Sequence, residues 1–453
     1  MEKNKNIESI TGDPKSAINK LAFPLVASLL LVMSNNLIDS IWVSGLGAAP
    51  LAALGFVTPL FMILVGVGNG IGGGINSLLA RYVGAKDIKK ANEGASQSLV
   101  LSIIITAILT FAIIFFLKDL LYMMGSESVM SYAMDYSKVL FACSFSILLP
   151  EMLSGMFRAE GNIKRATVPM AVTAILNMIL DPIFIYVFGL GIEGAAIATV
   201  IASTVSLLLL LYWMFIKKDT FFTYSLKNFK FNNHMIKDVL NVGIPASLEE
   251  LLMSIVMVII NLLVLAVAGT EAVAIYTAGW RLISMAIIPC IGVATSAITV
   301  AGISYGARNF ENLKITVRYS AALGFLFSLI VGIIFFVFAD PIAGLFTYSS
   351  NSMELAGGIA EFLRIMWIYV LPVAFGATAG YVFQGLGKGI TSFVLTILRE
   401  LVFAVLFAYL FGITFAGGLI GIYLGLIFGT IVGSIIGYVY IELFVKELRK
   451  IKP

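Results

Sequence analysis

Asn177-Met-Ile-Leu-Asp181-Pro-Ile-Phe-Ile-Tyr186 places an amide, a carboxylate and a proline inside an apolar run from about Ala166 to Phe188. Such a run is long enough to cross the ~30 Å hydrocarbon core of a bilayer as a helix. A charged side chain at that depth costs about 2.5–3.5 kcal/mol on insertion scales, so an intramembrane Asp reads as functional by default. Asn177 lies one helical turn before Asp181 and shares its face. Pro182 removes a backbone hydrogen bond just after the carboxylate and frees nearby carbonyls to face a cavity. Together these groups read as the wall of a polar pocket within a membrane helix.

The rest of the chain has the same character. Of 453 residues, 60% are hydrophobic and 12% charged, with a mean hydropathy of +1.02. Soluble domains run nearer 45–50% and 25%, so this is an all-α polytopic membrane protein. About twelve spans are expected, near 17–44, 52–79, 94–117, 131–157, 164–188, 194–216, 237–266, 272–300, 313–338, 357–384, 391–413 and 418–446. The alternating strands of a membrane β-barrel are absent from the pattern.

A net charge of +4 carries no nucleic-acid signal; its meaning is topological. Of 29 Lys and Arg residues, 24 fall in the amino-terminal segment, in alternate loops such as Arg81–Lys90 and Lys217–Lys237, or in the tail. The positive-inside rule then puts both termini in the cytoplasm of a plasma-membrane protein, which requires an even number of spans. The amino-terminal segment has no cleavable signal pattern. Cys143 and Cys290 lie in apolar runs and read as small buried hydrophobes. No CxxC site is present, and no cofactor is implied.

The chain also reads twice. Pro24 and Pro245 open corresponding helices at an offset of 221, and Gly47 recurs as Gly269 and Gly84 as Gly306 at 222. Phe157-Arg-Ala-Glu-Gly161 recurs as Phe383-Gln-Gly-Leu-Gly387 at 226. Six helices per repeat return the chain to its starting side, so the halves run parallel, the layout of an alternating-access transporter. This gives an N-terminal lobe (1–216), a cytoplasmic linker (217–236) and a C-terminal lobe (237–453). The linker's Phe and Tyr residues among Lys suit a short interfacial helix, and its lone His234 reads as solvated. The glycines of Gly66–Gly74 lack the Gly-Lys-Ser/Thr of a phosphate loop and fit close helix packing better.

The buried polar residues fall into two sets. In the first lobe, Asp39 lies a turn beyond Asn35 and Asn36, and the hairpin at Gly189–Gly194 can fold Thr199 back beside Asp181. Helix four adds Tyr136 and Glu151, with Asp135 nearer the surface. Carboxylates with an amide and a hydroxyl make an all-oxygen set for a hard cation such as Na⁺, and the same set can carry a proton. In the second lobe, Glu249 and Glu250 follow Pro245, and one of that adjacent pair must point elsewhere. Arg281, Arg399 and Glu400 offer interhelical ion pairs. Glu249, Glu250, Arg399 and Glu400 are candidates for a second protonation or substrate site.

These residues resemble the multidrug and toxic compound extrusion (MATE) family over nearly the whole chain. The match is carried by Lys20-Leu-Ala-Phe-Pro24, Asn36-Leu-Ile-Asp39-Ser-Ile-Trp-Val, Phe157-Arg-Ala-Glu-Gly161-Asn, Asn177-Met-Ile-Leu-Asp181-Pro and Gly189-Leu-Gly-Ile-Glu-Gly-Ala-Ala-Ile-Ala-Thr199. The resemblance implies two six-helix bundles in a V. It also implies a secondary antiporter that exports drug-like organic cations and other amphipathic compounds in exchange for H⁺ or Na⁺. It implies a cation site at Asp39, Asn177, Asp181 and Thr199 with Tyr136 nearby. Glu151 stands where the prokaryotic pattern has an amide and adds a carboxylate. Glu249 or Glu250 is similar to a carboxylate used by another branch. A flippase or exporter of lipid-linked metabolites shares the two-lobe build and is the alternative. One loop histidine and no catalytic set exclude an enzyme. With both lobes in one chain, a monomer in contact with membrane lipids suffices.

Overall fold

The computed structural model describes residues 2–225, 229–346 and 355–450, and helix is the only regular secondary structure among them. The chain forms two compact units, Met1–Gly12 with Ala27–Ser247, and Asp13–Val26 with Leu248–Pro453. The first half contains α1 (Glu2–Thr11), α2 (Pro14–Ser44), α3 (Ala48–Gly84), α4 (Ile88–Met123), α5 (Met130–Ala142), α6 (Phe145–Ala159), α7 (Ile163–Pro182) and α8 (Gly191–Leu211). The second contains α9 (Asn233–Gly306), α10 (Phe310–Val337), α11 (Ala339–Phe346), α12 (Ala356–Met366), α13 (Val370–Gly385), α14 (Gly389–Thr396), α15 (Val405–Tyr409) and α16 (Gly418–Leu448).

Ten helical stretches among the described residues are long and apolar enough to span a membrane. The bent pair formed by α5 and α6, at 46°, makes one more. The 74-residue α9 is broken at Gly269, whose φ of 79° and ψ of −172° leave the helical region, so it holds two spans. Counted in this way the described residues hold the twelve spans expected from the hydropathy.

The internal repeat reappears as backbone conformation. Gly47 and Gly269 both have positive φ (107° and 79°), as do Gly161 and Gly387 (72° and 79°). Non-glycine residues follow the same rule: Lys86 and Arg308 take φ of 57° and 52° at the same offset of 222. Each is followed by a side-chain helix cap, Asp87 accepting from Lys90 N and Asn309 from Asn312 N, both at 3.0 Å. Short polar side chains at N-cap positions satisfy amides that the first turn leaves free.

Glycine sets the packing of unit 1. A Cβ on Gly68 would lie 2.9 Å from Glu151 Cβ, and one on Gly72 would lie 2.7 Å from the Glu151 carbonyl, so α3 and α6 touch backbone to backbone. That is the close-packing role expected of Gly66–Gly74. Unit 2 is built differently. Its core stacks Tyr276 on Trp280, with Phe362 edge-on to Tyr423 at 4.9 Å.

The linker departs from expectation: its residues 217–225 and 229–232 form no helix, and 233–236 already belong to α9. Side chains of neighbouring helices take up its backbone groups instead. Phe221 N donates to Glu160, Thr223 N to Asn92 and Ser225 N to Ser96, while Gln97 donates to the Lys230 carbonyl. Arg165 pairs with Asp219. With its amides satisfied in this way, the segment needs no helical ladder. His234 is exposed at the start of α9.

Candidate functional site

Four elements of unit 1 bring one polar cluster together. Asn35 and Asp39 lie four residues apart on α2, as Asn177 and Asp181 do on α7, so each pair shares a helix face. From α8, Thr199 faces Asn177 across the hairpin, and from α5 Tyr136 is buried within electrostatic reach of both acids. Pro182 cannot donate to the helical ladder, and the chain continues past it as a wider π-helical turn, Ile183–Val187. Beyond that turn, the Tyr186 hydroxyl donates to the Trp42 carbonyl at 2.5 Å, tying the end of α7 to the end of α2.

The hydrogen bonds form a directed chain. Asn35 Nδ2 donates to Asn177 Oδ1 at 2.8 Å, and Asn177 Nδ2 donates to Asp181 Oδ1 at 2.8 Å and to Thr199 Oγ1 at 3.2 Å. The carboxyl groups of Asp39 and Asp181 lie close enough to act on one another electrostatically. Asp39 Oδ1 and Asp181 Oδ2 are buried and receive no donor from the surrounding protein. Asp181 itself is fully buried at 0% exposure, whereas Asp39 is half-buried. Two adjacent carboxylates repel strongly when both are charged, so the pair is stable with a proton or a cation between them.

The remaining sequence candidates lie elsewhere. Glu151 packs its stem against Gly68, and the charge beside it is Arg158 rather than either aspartate. In unit 2, Glu249 accepts from Ser392 Oγ at 2.7 Å and from Gln384 Nε2 at 3.3 Å, while Glu250 is exposed. Arg399 Nε donates to Glu400 at 2.7 Å, and Tyr369 donates to Glu400 at 3.4 Å. The Arg399–Glu400 pair thus lies within one π-helical stretch (Ile397–Ala404) rather than between helices, and Arg281 is exposed. Among the described residues no three His, Cys, Asp or Glu side chains converge as a metal site. Asn35 was legible only as a neighbour of Asp39, although its i, i+4 spacing put it on the same face.

The MatE family model matches residues 24–183 and 245–410, covering both halves of the repeat. A solved outward-facing multidrug resistance MATE family transporter of the MOP superfamily is 36% identical, with a TM-score of 0.96 over 98% of this chain and 99% of that one. A MOP superfamily transporter from Pyrococcus furiosus, described as having a binding pocket of reverse polarity that suggests a different function, is 36% identical with a TM-score of 0.95 over the same shares. The multidrug export protein MepA of Staphylococcus aureus is 25% identical over 388 residues, 85% of each chain. The chain therefore belongs to the MATE family, whose members are multi-span membrane transporters rather than enzymes.

Proposed function

We propose that this protein is a multidrug efflux antiporter that exports organic cations and other amphipathic compounds in exchange for H⁺ or Na⁺, by alternating access. The observation that carries this reading is a pair of neighbouring acids, Asp39 and Asp181, each with a buried carboxyl oxygen that receives no protein donor, beside Asn177, which donates to Asp181. A proton or Na⁺ arriving from outside neutralises the pair, and Asn177, Thr199 and Tyr136 adjust around it. That rearrangement of unit 1 releases the drug and favours inward opening. Exchange of a monovalent drug for one monovalent ion is electroneutral, so a tenfold ion gradient, about 1.4 kcal/mol, sustains a tenfold drug gradient.

The chain acts as a monomer in the plasma membrane, among lipids and with both termini cytoplasmic. Its N-terminal lobe (1–216) carries coupling and its C-terminal lobe (237–453) follows the linker (217–236). Glu151, Glu249, Glu250, Arg399 and Glu400 tune substrate or proton handling outside the central pair. The test is export of a fluorescent organic cation from proteoliposomes under separately imposed H⁺ and Na⁺ gradients. Export driven by one gradient and lost in both Asp39→Asn and Asp181→Asn is expected. Export at the normal rate in either variant sinks the mechanism. A folded protein that exports no cation under either gradient points instead to an amphipathic lipid-linked substrate.

A further inference from the structure

The hydrogen bonds of the unit 1 chain all run in one direction. Asn35 donates to Asn177 Oδ1, both protons of Asn177 Nδ2 go to Asp181 and Thr199, and the Thr199 hydroxyl donates to the Ala195 carbonyl at 3.0 Å. An amide presents donors on one side and an acceptor on the other, so its orientation decides what it offers a ligand. Here Asn177 turns its NH₂ toward the acid, and its oxygen is taken by Asn35.

That orientation discriminates between ions. Na⁺ is a hard cation and needs oxygen ligands, whereas a proton shared by Asp39 and Asp181 needs nothing from the Asn177 oxygen. Turning Asn177 alone would bring its oxygen to the site but set its NH₂ against the NH₂ of Asn35. If Asn35 turns as well, its Oδ1 accepts from Asn177. This oxygen is buried and has no donor in the present arrangement.

We propose that Asn35 is a positioning residue that sets the ion preference of the unit 1 site, its amide holding Asn177 in the orientation that suits a proton and disfavours Na⁺. The inference rests on the reading of Asp39 and Asp181 as the coupling pair. The titratable groups around the two amides are Asp181, which accepts from Asn177, Asp39, one turn from Asn35 on the same helix face, and Tyr136, within electrostatic reach of both acids. A concerted turn of both amides gives the Na⁺-accepting form.

The test is binding of radioactive ²²Na⁺ to the detergent-solubilised full-length protein at neutral pH, by scintillation proximity. Asn35→Ala releases Asn177, and the isosteric Asn35→Asp, when ionised, only accepts, so it turns the Asn177 oxygen toward the site. Asn36→Asp, on the exposed neighbour, controls for added charge. Na⁺ affinity is expected to rise by about tenfold in Asn35→Asp, the worth of one buried hydrogen bond, with Asn35→Ala between it and wild type. Asn36→Asp should match wild type, and adding Asp181→Asn to Asn35→Asp should abolish the gain. The proposal is overturned if Asn35→Asp and Asn35→Ala bind Na⁺ no more tightly than wild type, or if the gain survives Asp181→Asn. Binding is read without transport, so a wild-type protein that exports nothing under either gradient refutes the antiporter reading and leaves the role of Asn35 to be decided by the binding series.

Discussion

Substituting Gly155→Ala probes how tightly unit 1 is closed around its site. Gly155 of α6 meets Gly72 of α3, where an added Cβ would lie 2.9 Å from the Gly72 carbonyl carbon and 3.1 Å from its Cα. Ordinary carbon contacts are at about 3.5–4.0 Å, so the two backbones must part by about half an ångström or more. Backbone has no rotamer to relieve the clash, and overpacking of this kind costs about 1–3 kcal/mol. Gly55→Ala provides the contrast on α3 itself. A Cβ there meets nothing within 4 Å, and replacing a helical glycine with alanine gains about 0.5–1 kcal/mol. Unfolding of the solubilised protein in increasing SDS, followed by far-ultraviolet circular dichroism, measures both changes. Gly155→Ala unfolding at the wild-type midpoint would show that α3 and α6 are not in backbone contact and would refute the packing.

Other substitutions reach other parts of the fold. Arg399→Met leaves Glu400 buried without its partner and destabilises the protein by about 3–5 kcal/mol, and adding Glu400→Gln recovers most of that loss in the same unfolding assay. Asp87→Ala removes the cap of α4, and its effect depends on pH. The backbone amide of Lys90, and then the Lys90 side chain, hold the Asp87 carboxyl below its ordinary value. A depressed carboxyl stabilises the fold above its unfolded pKa of about 3.9 and loses that contribution as pH falls through the folded value. Asp87→Ala should therefore unfold earlier than wild type at pH 7, and the difference should vanish as the solution is acidified below the carboxylate range.

Much of this molecule was legible in its sequence because membrane spans and repeats are written in composition and spacing. Gly269 marked the break in α9 because its partner Gly47 already marked the end of α2. Lys86 and Arg308 followed, since the offset that pairs their neighbours also pairs their left-handed backbone. The cluster was partly legible: Asn177 and Asp181 share a face by spacing alone, and the α7–α8 hairpin is short enough to bring Thr199 back. Helical spacing cannot specify which α2 side chain meets α7 from 142 residues away, so the bond from Asn35 to Asn177 emerged only in three dimensions. The linker was misread for a related reason. Its aromatic and lysine pattern fits an interfacial helix, but Asn92, Ser96 and Glu160 on distant segments satisfy its amides first. Arg281, Arg399 and Glu400 offer interhelical ion pairs by sequence, but the long side chains of Arg399 and Glu400 reach each other within one π-helical stretch, a pairing that residue spacing does not single out.

The central claim is that Asp39 and Asp181 carry the counter-ion. It is tested most directly by running the exchange backwards, with no ion gradient imposed. Proteoliposomes loaded with a fluorescent organic cation are diluted into drug-free buffer of equal pH and Na⁺, and lumenal pH and Na⁺ are followed by trapped indicators as the drug leaves. Wild type should move one of these ions opposite to the drug, with both fluxes stopping together in Asp39→Asn and Asp181→Asn. Drug efflux with no counter-movement of either ion, or counter-movement that persists in the two variants, would contradict the account.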